Sequence, residues 1–182
     1  MNEIPAINKG EFGFEGTIKI QSWAGFQTRT VDSTELSDGT CRLSTGGDMV
    51  VDEPRIEDYH LNAYNYLIEN QEIIKESILD YLFNSYPELQ EQYGYDDDKK
   101  SEFMPDVKSK EEFKQLIGIS NVHLMNVEKD GLAYVGYEIG CKWDDEHGIG
   151  FMTHKSRIID FGGADTSFLT WVAQKDLEPQ NE

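Results

Sequence analysis

The sequence predicts an α+β fold: an antiparallel sheet drawn from both ends of the chain, with the helices of residues 56–118 packed on one face. Apolar and polar residues alternate in short runs near both ends, the period of a half-buried strand. Between 56 and 92 the apolar residues instead recur in steps of three and four, the period of a helix face. Asp130-Gly131 and Lys155-Ser156 punctuate the C-terminal part as hairpin turns. A chain of 182 residues suits a single domain, and its polar end, 176–182, reads as a frayed tail.

Each element follows from its local pattern. Over 11–31, Phe12 and Phe14 alternate with small or polar residues, and Thr17-Ile18-Lys19-Ile20-Gln21 repeats the alternation. That is strand chemistry, with Gly13 and Gly16 as bulge points and Trp23 as a core residue. A strand near 40–44 and another near 49–52 form a hairpin across Gly46-Gly47. That Gly pair lacks the lysine and spacing of a phosphate loop, and no other motif calls for a cofactor.

In the helical region Leu61, Tyr64, Leu67, Ile68, Ile74, Ile78, Tyr81 and Leu82 make the apolar stripe, so Tyr64 and Tyr81 read as core. Asn70-Gln71 either breaks this region into two helices or is passed through. Tyr86-Pro87 is expected to disturb its end, because proline biases its predecessor away from the helix. Residues 93–107 read as loop, with Asp96, Asp97 and Asp98 followed by Lys99-Lys100. The run lacks the spacing of a calcium-binding EF-hand. Ser109 and Glu112 form a capping box that opens a short helix, with Phe113, Leu116 and Ile117 inward and Gly118 closing it.

From Ile119 the pattern turns to a meander of about four strands. Val122, Leu124 and Asn126 share one face, and His123, Met125 and Val127 the other. The next strand sets Ala133, Val135, Tyr137, Ile139, Cys141 and Trp143 on one face. Tyr134, Gly136, Glu138, Gly140 and Lys142 take the other, where the two glycines permit close approach of another backbone. An acidic hairpin loop, residues 144–148, leads to a strand over 149–154, and a last strand covers 157–161. After Gly162-Gly163, Asp165 caps a helical turn carrying Phe168, Leu169, Trp171 and Val172.

Composition narrows the functional classes. Sixteen basic side chains against 35 acidic ones give a net charge of −19. Such a field repels nucleic-acid phosphates and anionic lipid, and steers in cations or a basic protein partner. Acidity of this size also serves solubility alone. The start of the chain has no apolar signal core and no run nears ~20 apolar residues, so the expected location is the cytoplasm. Cys41 and Cys141, without a C-x-x-C, read as small apolar residues in a reducing compartment.

The densest group of chemically capable side chains is Asp144, Asp145, Glu146 and His147, followed by His154 and Asp165. Carboxylates and imidazoles serve as metal ligands and as acid–base pairs, and His147 and His154 are expected to approach across a hairpin. The spacing matches no zinc motif, and Asp, Glu and Gly are ordinary turn residues. Glu138 and Asp160 are candidate paired carboxylates on neighbouring strands, and no serine lies in a nucleophile-elbow context.

The run Cys141-Lys142-Trp143-Asp144-Asp145-Glu146-His147-Gly148-Ile149-Gly150 resembles an uncharacterised bacterial domain family. So do Tyr134-Val135-Gly136-Tyr137, His154-Lys155 and Gly162-Gly163-Ala164-Asp165-Thr166. Phe12-Gly13, Trp23 and Asn70-Gln71 extend the likeness over most of residues 11–168. The resemblance implies a stand-alone cytoplasmic protein without an established activity, and some members resemble immunity proteins encoded beside secreted toxins. It supplies no catalytic residue.

Two functional readings result. The first is a non-enzymatic acidic binding protein, of the immunity type, that sequesters a basic toxin or other basic protein. Asp144, Asp145, Glu146, His147, His154 and Asp165 are its candidate binding residues. The alternative is a metal-dependent hydrolase using Asp144, Glu146, His147 and His154, which requires those four to converge on one ion.

Overall fold

The computed structural model describes residues 4–5, 7–10, 13–28 and 35–179. Phe12 and the end of the first predicted strand segment, residues 29–31, lie outside the described residues. The strands are β1 (Asn8–Lys9), β2 (Phe14–Lys19), β3 (Thr40–Gly46), β4 (Ile117–Lys129), β5 (Leu132–Cys141), β6 (Asp144–His154) and β7 (Arg157–Gly163). The helices are α1 (Asp58–Tyr93), α2 (Asp97–Phe103) and α3 (Thr170–Leu177). The seven strands form one sheet in sequence order. The fold is thus α+β, a mostly antiparallel sheet with one long helix packed on it.

Every pairing is antiparallel except β3 with β4. A parallel pair needs a long crossover, and residues 47–116, including α1 and α2, supply it. The hairpin expected between 40–44 and 49–52 therefore does not form. The partner of β3 is β4, and Met49, Val50 and Val51 are exposed.

α1 is kinked at Asn70-Gln71 and continues past Tyr86-Pro87, the site of the expected disturbance. At Asn70 the backbone leaves helical geometry (φ −118°, ψ 19°). The Asn70 side chain donates to the Tyr66 carbonyl and the Gln71 side chain to the Ile68 carbonyl, each at 2.9 Å, so the kink is bridged. Gln71 also accepts from the Ser22 backbone at 2.9 Å, which fastens the kink to the 3-10 turn Gln21–Trp23. Pro87 lies inside the helix, which ends only at Gly94 in a left-handed cap. Tertiary packing overrides the local signal there: Tyr86 is buried against Phe113 (5.1 Å between ring centres) and Trp143 (5.4 Å). Residues 97–103, expected as loop, form α2, capped by the Asp96 side chain on the Lys99 N–H. Ser109 and Glu112 do meet (3.4 Å), but Glu112 reaches back to the Lys108 N–H and the segment Lys110–Gln115 is 3-10.

The sheet has two unlike faces. Toward α1 it presents Leu43, Val122, Leu124, Tyr137, Ile139 and Phe151, packed with Leu67, Ile74, Ile78 and Leu82 in one core. Cys141 and Trp143 join this core, as the face of their strand predicts, and so does Trp23 from the 3-10 turn Gln21–Trp23, but Tyr81 is 40% exposed at its margin. On the other face Met125, Val127, Tyr134 and Met152 pack with Val172 and Ala173 of α3. The 3-10 turn Ala164–Ser167 lies directly on β5 there: a Cβ on Gly136 would sit 1.5 Å from the Ser167 carbonyl oxygen. The close approach predicted for that face occurs at this glycine. Asp165 is not a helix cap. Gly163 holds the cap position of the turn, α3 starts later, and Trp171 points outward at 52% exposure. α3 also extends to Leu177, and Asp176, expected in the tail, is tied to Arg157, Lys129 and Tyr134.

Candidate functional site

The turn between β5 and β6 falls on Lys142-Trp143, so residues 144–148 are not the hairpin loop but the first half of β6. Trp143 is drawn into the core by Tyr86, which pulls the turn back onto the sheet. Gly148 takes φ 72°, and a Cβ there would lie 2.6 Å from the Ile139 carbonyl. Only glycine fits that bend without strain.

Asp144 is the organising side chain. One oxygen accepts from the His147 N–H (3.1 Å) and faces His147 Nδ1 (3.1 Å); the other accepts from the Tyr93 hydroxyl (3.0 Å). Burial raises its pKa, but the hydrogen bonds from His147 and Tyr93 outweigh that and hold the carboxyl below its usual range. The Tyr93 phenol is pushed up, first by burial and then by the Asp144 charge beside it. Tyr95 donates to the Trp143 carbonyl at 2.7 Å, and the two tyrosines stack at 6.0 Å. Together they pin the end of α1 to the β5–β6 turn.

That pinning creates an acidic pole. Glu88 and Glu91 in the last turns of α1, Asp96, Asp97 and Asp98 at the start of α2, and Asp145 and Glu146 on β6 are all exposed. A cleft of about 360 Å³ opens between α1 and the β6–β7 edge, lined by Tyr81, Glu88, Tyr93, Asp144, His147 and Phe161. Asp145 and Glu146 line a separate hollow of about 480 Å³ that also takes in Arg42 and Glu138.

Of the six predicted residues, the structure brings Asp144 and His147 into contact and leaves Asp145 and Glu146 beside them facing solvent. His154 is elsewhere. It ends β6, roughly 23 Å from His147 at ~3.3 Å per strand residue, buried against Tyr134 and hydrogen-bonded to the Lys129 carbonyl at 2.9 Å. Asp165 is exposed in the turn beyond β7. The four residues of the hydrolase alternative therefore do not converge. Among the described residues no group of three or more His, Cys, Asp or Glu is placed to hold a metal ion. Glu138 and Asp160 are not on neighbouring strands either, since β6 separates β5 from β7.

A second group went unread as a unit. Ser44 on β3, His123 on β4 and Glu138 on β5 form a hydrogen-bonded row on the sheet face away from α1. Ser44 and Glu138 stand on the more polar parity of β3 and β5, whereas His123 shares its parity with Met125 and Val127. Joining them needs the parallel β3–β4 register, which no local pattern encodes.

A seven-stranded, mostly antiparallel sheet with a long kinked helix packed on one face defines a small α+β protein. The chain belongs to the domain-of-unknown-function family DUF6985, whose profile matches residues 10–169. α3 lies just beyond that match. Searches of curated proteins and of solved structures return no match. No helix among the described residues is long and apolar enough to cross a membrane.

Proposed function

We propose that this chain is an acidic binding protein of the bacterial cytoplasm that holds a basic protein partner at the acidic pole. In the form suggested by its resemblance to immunity-type proteins, the partner is a toxin. The observation that carries the reading is the cleft between α1 and β6–β7, where aromatic rings of Tyr81, Tyr93 and Phe161 meet the carboxylates of Glu88 and Asp144. A lysine or arginine entering it gains cation–π contact and a charged hydrogen bond together. The surrounding carboxylates steer a cationic surface toward the cleft before contact, which speeds association more than it deepens affinity. Tyrosine is also among the side chains that most often dominate binding energy.

The test is capture of partners from the native cell, followed by titration of the identified partner against the wild type and the Glu88→Gln/Asp144→Asn/Glu146→Gln variant. The expected result is a stoichiometric basic protein whose association slows as salt is raised, and whose affinity falls by at least about tenfold in the variant. Recovery of no stoichiometric partner, or equal binding by the variant, removes the proposal.

A further inference from the structure

The row Ser44–His123–Glu138 lies on the opposite sheet face from the acidic cleft and has its own opening. Ser44 and His123 are registered partners across the parallel β3–β4 pair, and their side chains meet at 2.8 Å, Oγ to Nδ1. His123 Nε2 lies 3.3 Å from Glu138 Oε2. With the Nε2 proton directed at Glu138, Nδ1 is the nearer acceptor for the Ser44 hydroxyl (2.8 Å), and Asn121 Oδ1 is a second one at 3.3 Å. The Glu138 carboxyl is held below its ordinary range, first by the hydrogen bond from His123. The imidazole cannot turn freely: its side chain is 11% exposed, Phe168 lies over it at 5.4 Å, and its registered neighbour on β5 is Gly136, beneath the Ser167 carbonyl.

A row of this kind can serve merely to satisfy a buried histidine. What separates this one is where the hydroxyl sits. Ser44 forms part of the wall of a cleft of about 310 Å³, with Phe14, Arg42, Asn121, His123 and Phe168. Nucleophile, base and orienting carboxylate are thus aligned, and the nucleophile faces open space rather than the core. Arg42, two residues from Ser44 on the same strand face, brings a positive charge to the same cleft, with Glu15 Oε2 4.0 Å from its guanidinium.

We propose that Ser44 is a base-activated nucleophile that accepts the acyl group of a small carboxylic ester bound in this cleft. Its Oγ bonds to the ester carbonyl carbon while His123 Nδ1 takes the hydroxyl proton. The tetrahedral oxyanion that forms is stabilised by the Arg42 charge. When the carbon–oxygen bond to the alcohol breaks, His123 returns the proton to the leaving alcohol, giving acyl-Ser44 and free alcohol. Water, deprotonated by the same imidazole, then releases the carboxylic acid and restores the hydroxyl. Glu138 is a positioning residue that fixes the tautomer. The cleft lies at the small end of ligand-sized cavities, which sets the size of the ester.

The probe is an alkyl fluorophosphonate, incubated with the full chain and read by intact mass and peptide mapping, with p-nitrophenyl acetate hydrolysis measured alongside. The expected result is one phosphonyl group on Ser44, with fluoride lost, and ester hydrolysis that disappears in Ser44→Ala. Glu138→Gln, checked for fold by circular dichroism, should label on the order of tenfold or more slowly. Its labelling-versus-pH limb should also move to lower pH, as the negative charge beside the imidazole is lost; Arg42 from β3, Glu15 from β2 and Asp48 just after β3 are the other charges at the cleft. Folded wild-type chain with no adduct on Ser44, or Ser44 labelled no faster than the exposed Ser101, overturns the proposal. So does ester hydrolysis that survives Ser44→Ala. None of these readouts depends on the acidic cleft, so failure here and failure of partner binding are told apart.

Discussion

The two faces of the sheet are built on different terms. The face under α1 is dry: Ile78, Leu82, Val122, Leu124, Ile139 and Phe151 are fully buried in one core. The other face is covered over only part of its area, by the turn Ala164–Ser167 and the short α3. At the margin of that cover, Ser44, Asn121, His123 and Glu138 take positions that apolar residues hold further along the face. A fully covered face can be filled with aliphatic side chains and is free to hold the fold together. A partly covered face must satisfy polar groups beside open space, and that is where reactive side chains can be kept.

The sharpest way to break this comparison is to hollow the dry face. Leu82 is fully buried between α1 and the sheet. Leu82→Ala removes about three carbons' worth of burial and leaves a cavity, with an expected loss of about 2–5 kcal/mol in urea unfolding. A loss below about 1 kcal/mol would show that the core relaxes around the gap and that the dry face is not the main source of stability.

The half-covered face should respond less and in a pH-dependent way. Its fastening is Asp176, in the last turn of α3, where a carboxylate is unfavourable to the helix dipole. Cations offset that: Arg157 donates two hydrogen bonds (2.9 and 2.6 Å), Lys129 one (3.1 Å), and the Tyr134 hydroxyl a fourth (2.7 Å). The Arg157 guanidinium, with Tyr134 and Lys129, holds the Asp176 carboxyl well below the usual range despite its burial. A folded-state value depressed in this way stabilises above the unfolded carboxyl pKa of about 4 and is lost as pH falls below it. Asp176 is 12% exposed but Arg157 is 53% exposed, so solvent screens part of the gain. Asp176→Asn should therefore lower stability by about 1–3 kcal/mol at pH 7, and the gap from wild type should narrow toward pH 3. A gap that stays constant with pH would mean that the charge is not what holds α3 down.

How much of this was legible follows from the range of each interaction. The dry face was readable because helix and strand periods are local, and residues such as Leu67, Ile78, Val135 and Trp143 stand where those periods put them. Turns at Asp130-Gly131 and Lys155-Ser156 were readable from two residues each. Pro87 misled, since what keeps α1 going is Tyr86 lodged between Phe113 and Trp143, both distant in sequence. Residues 144–148 looked like one site because they are contiguous. A bulge between the Cys141–Asp144 and Ile139–Ile149 pairs breaks the strand alternation there, so Asp144 turns to the α1 cleft while its neighbours Asp145 and Glu146 both line the hollow behind it. His154 misled for the same reason of distance along β6. The Ser44 row and the Asp176 cluster show the converse, with members drawn from three or four elements and no mutual signal until the register is known.

The smallest effect is expected at the most conspicuous residues. His147 is 76% exposed and its side chain meets Asp144, which keeps its bonds to Tyr93 and to the His147 backbone if the imidazole is removed. Glu146 faces solvent. His147→Ala and Glu146→Ala should each change stability by no more than about 0.5 kcal/mol, measured by thermal or urea unfolding. If either substitution instead costs more than about 1 kcal/mol, the pole is a structural joint between α1 and β6 and its acidity is incidental to binding. A neutral result leaves His147 and Glu146 without a stabilising duty, while Asp144 still holds Tyr93. The proposed attraction of a basic partner predicts that the same Glu146→Ala change, silent in unfolding, slows association at low salt more than at high salt.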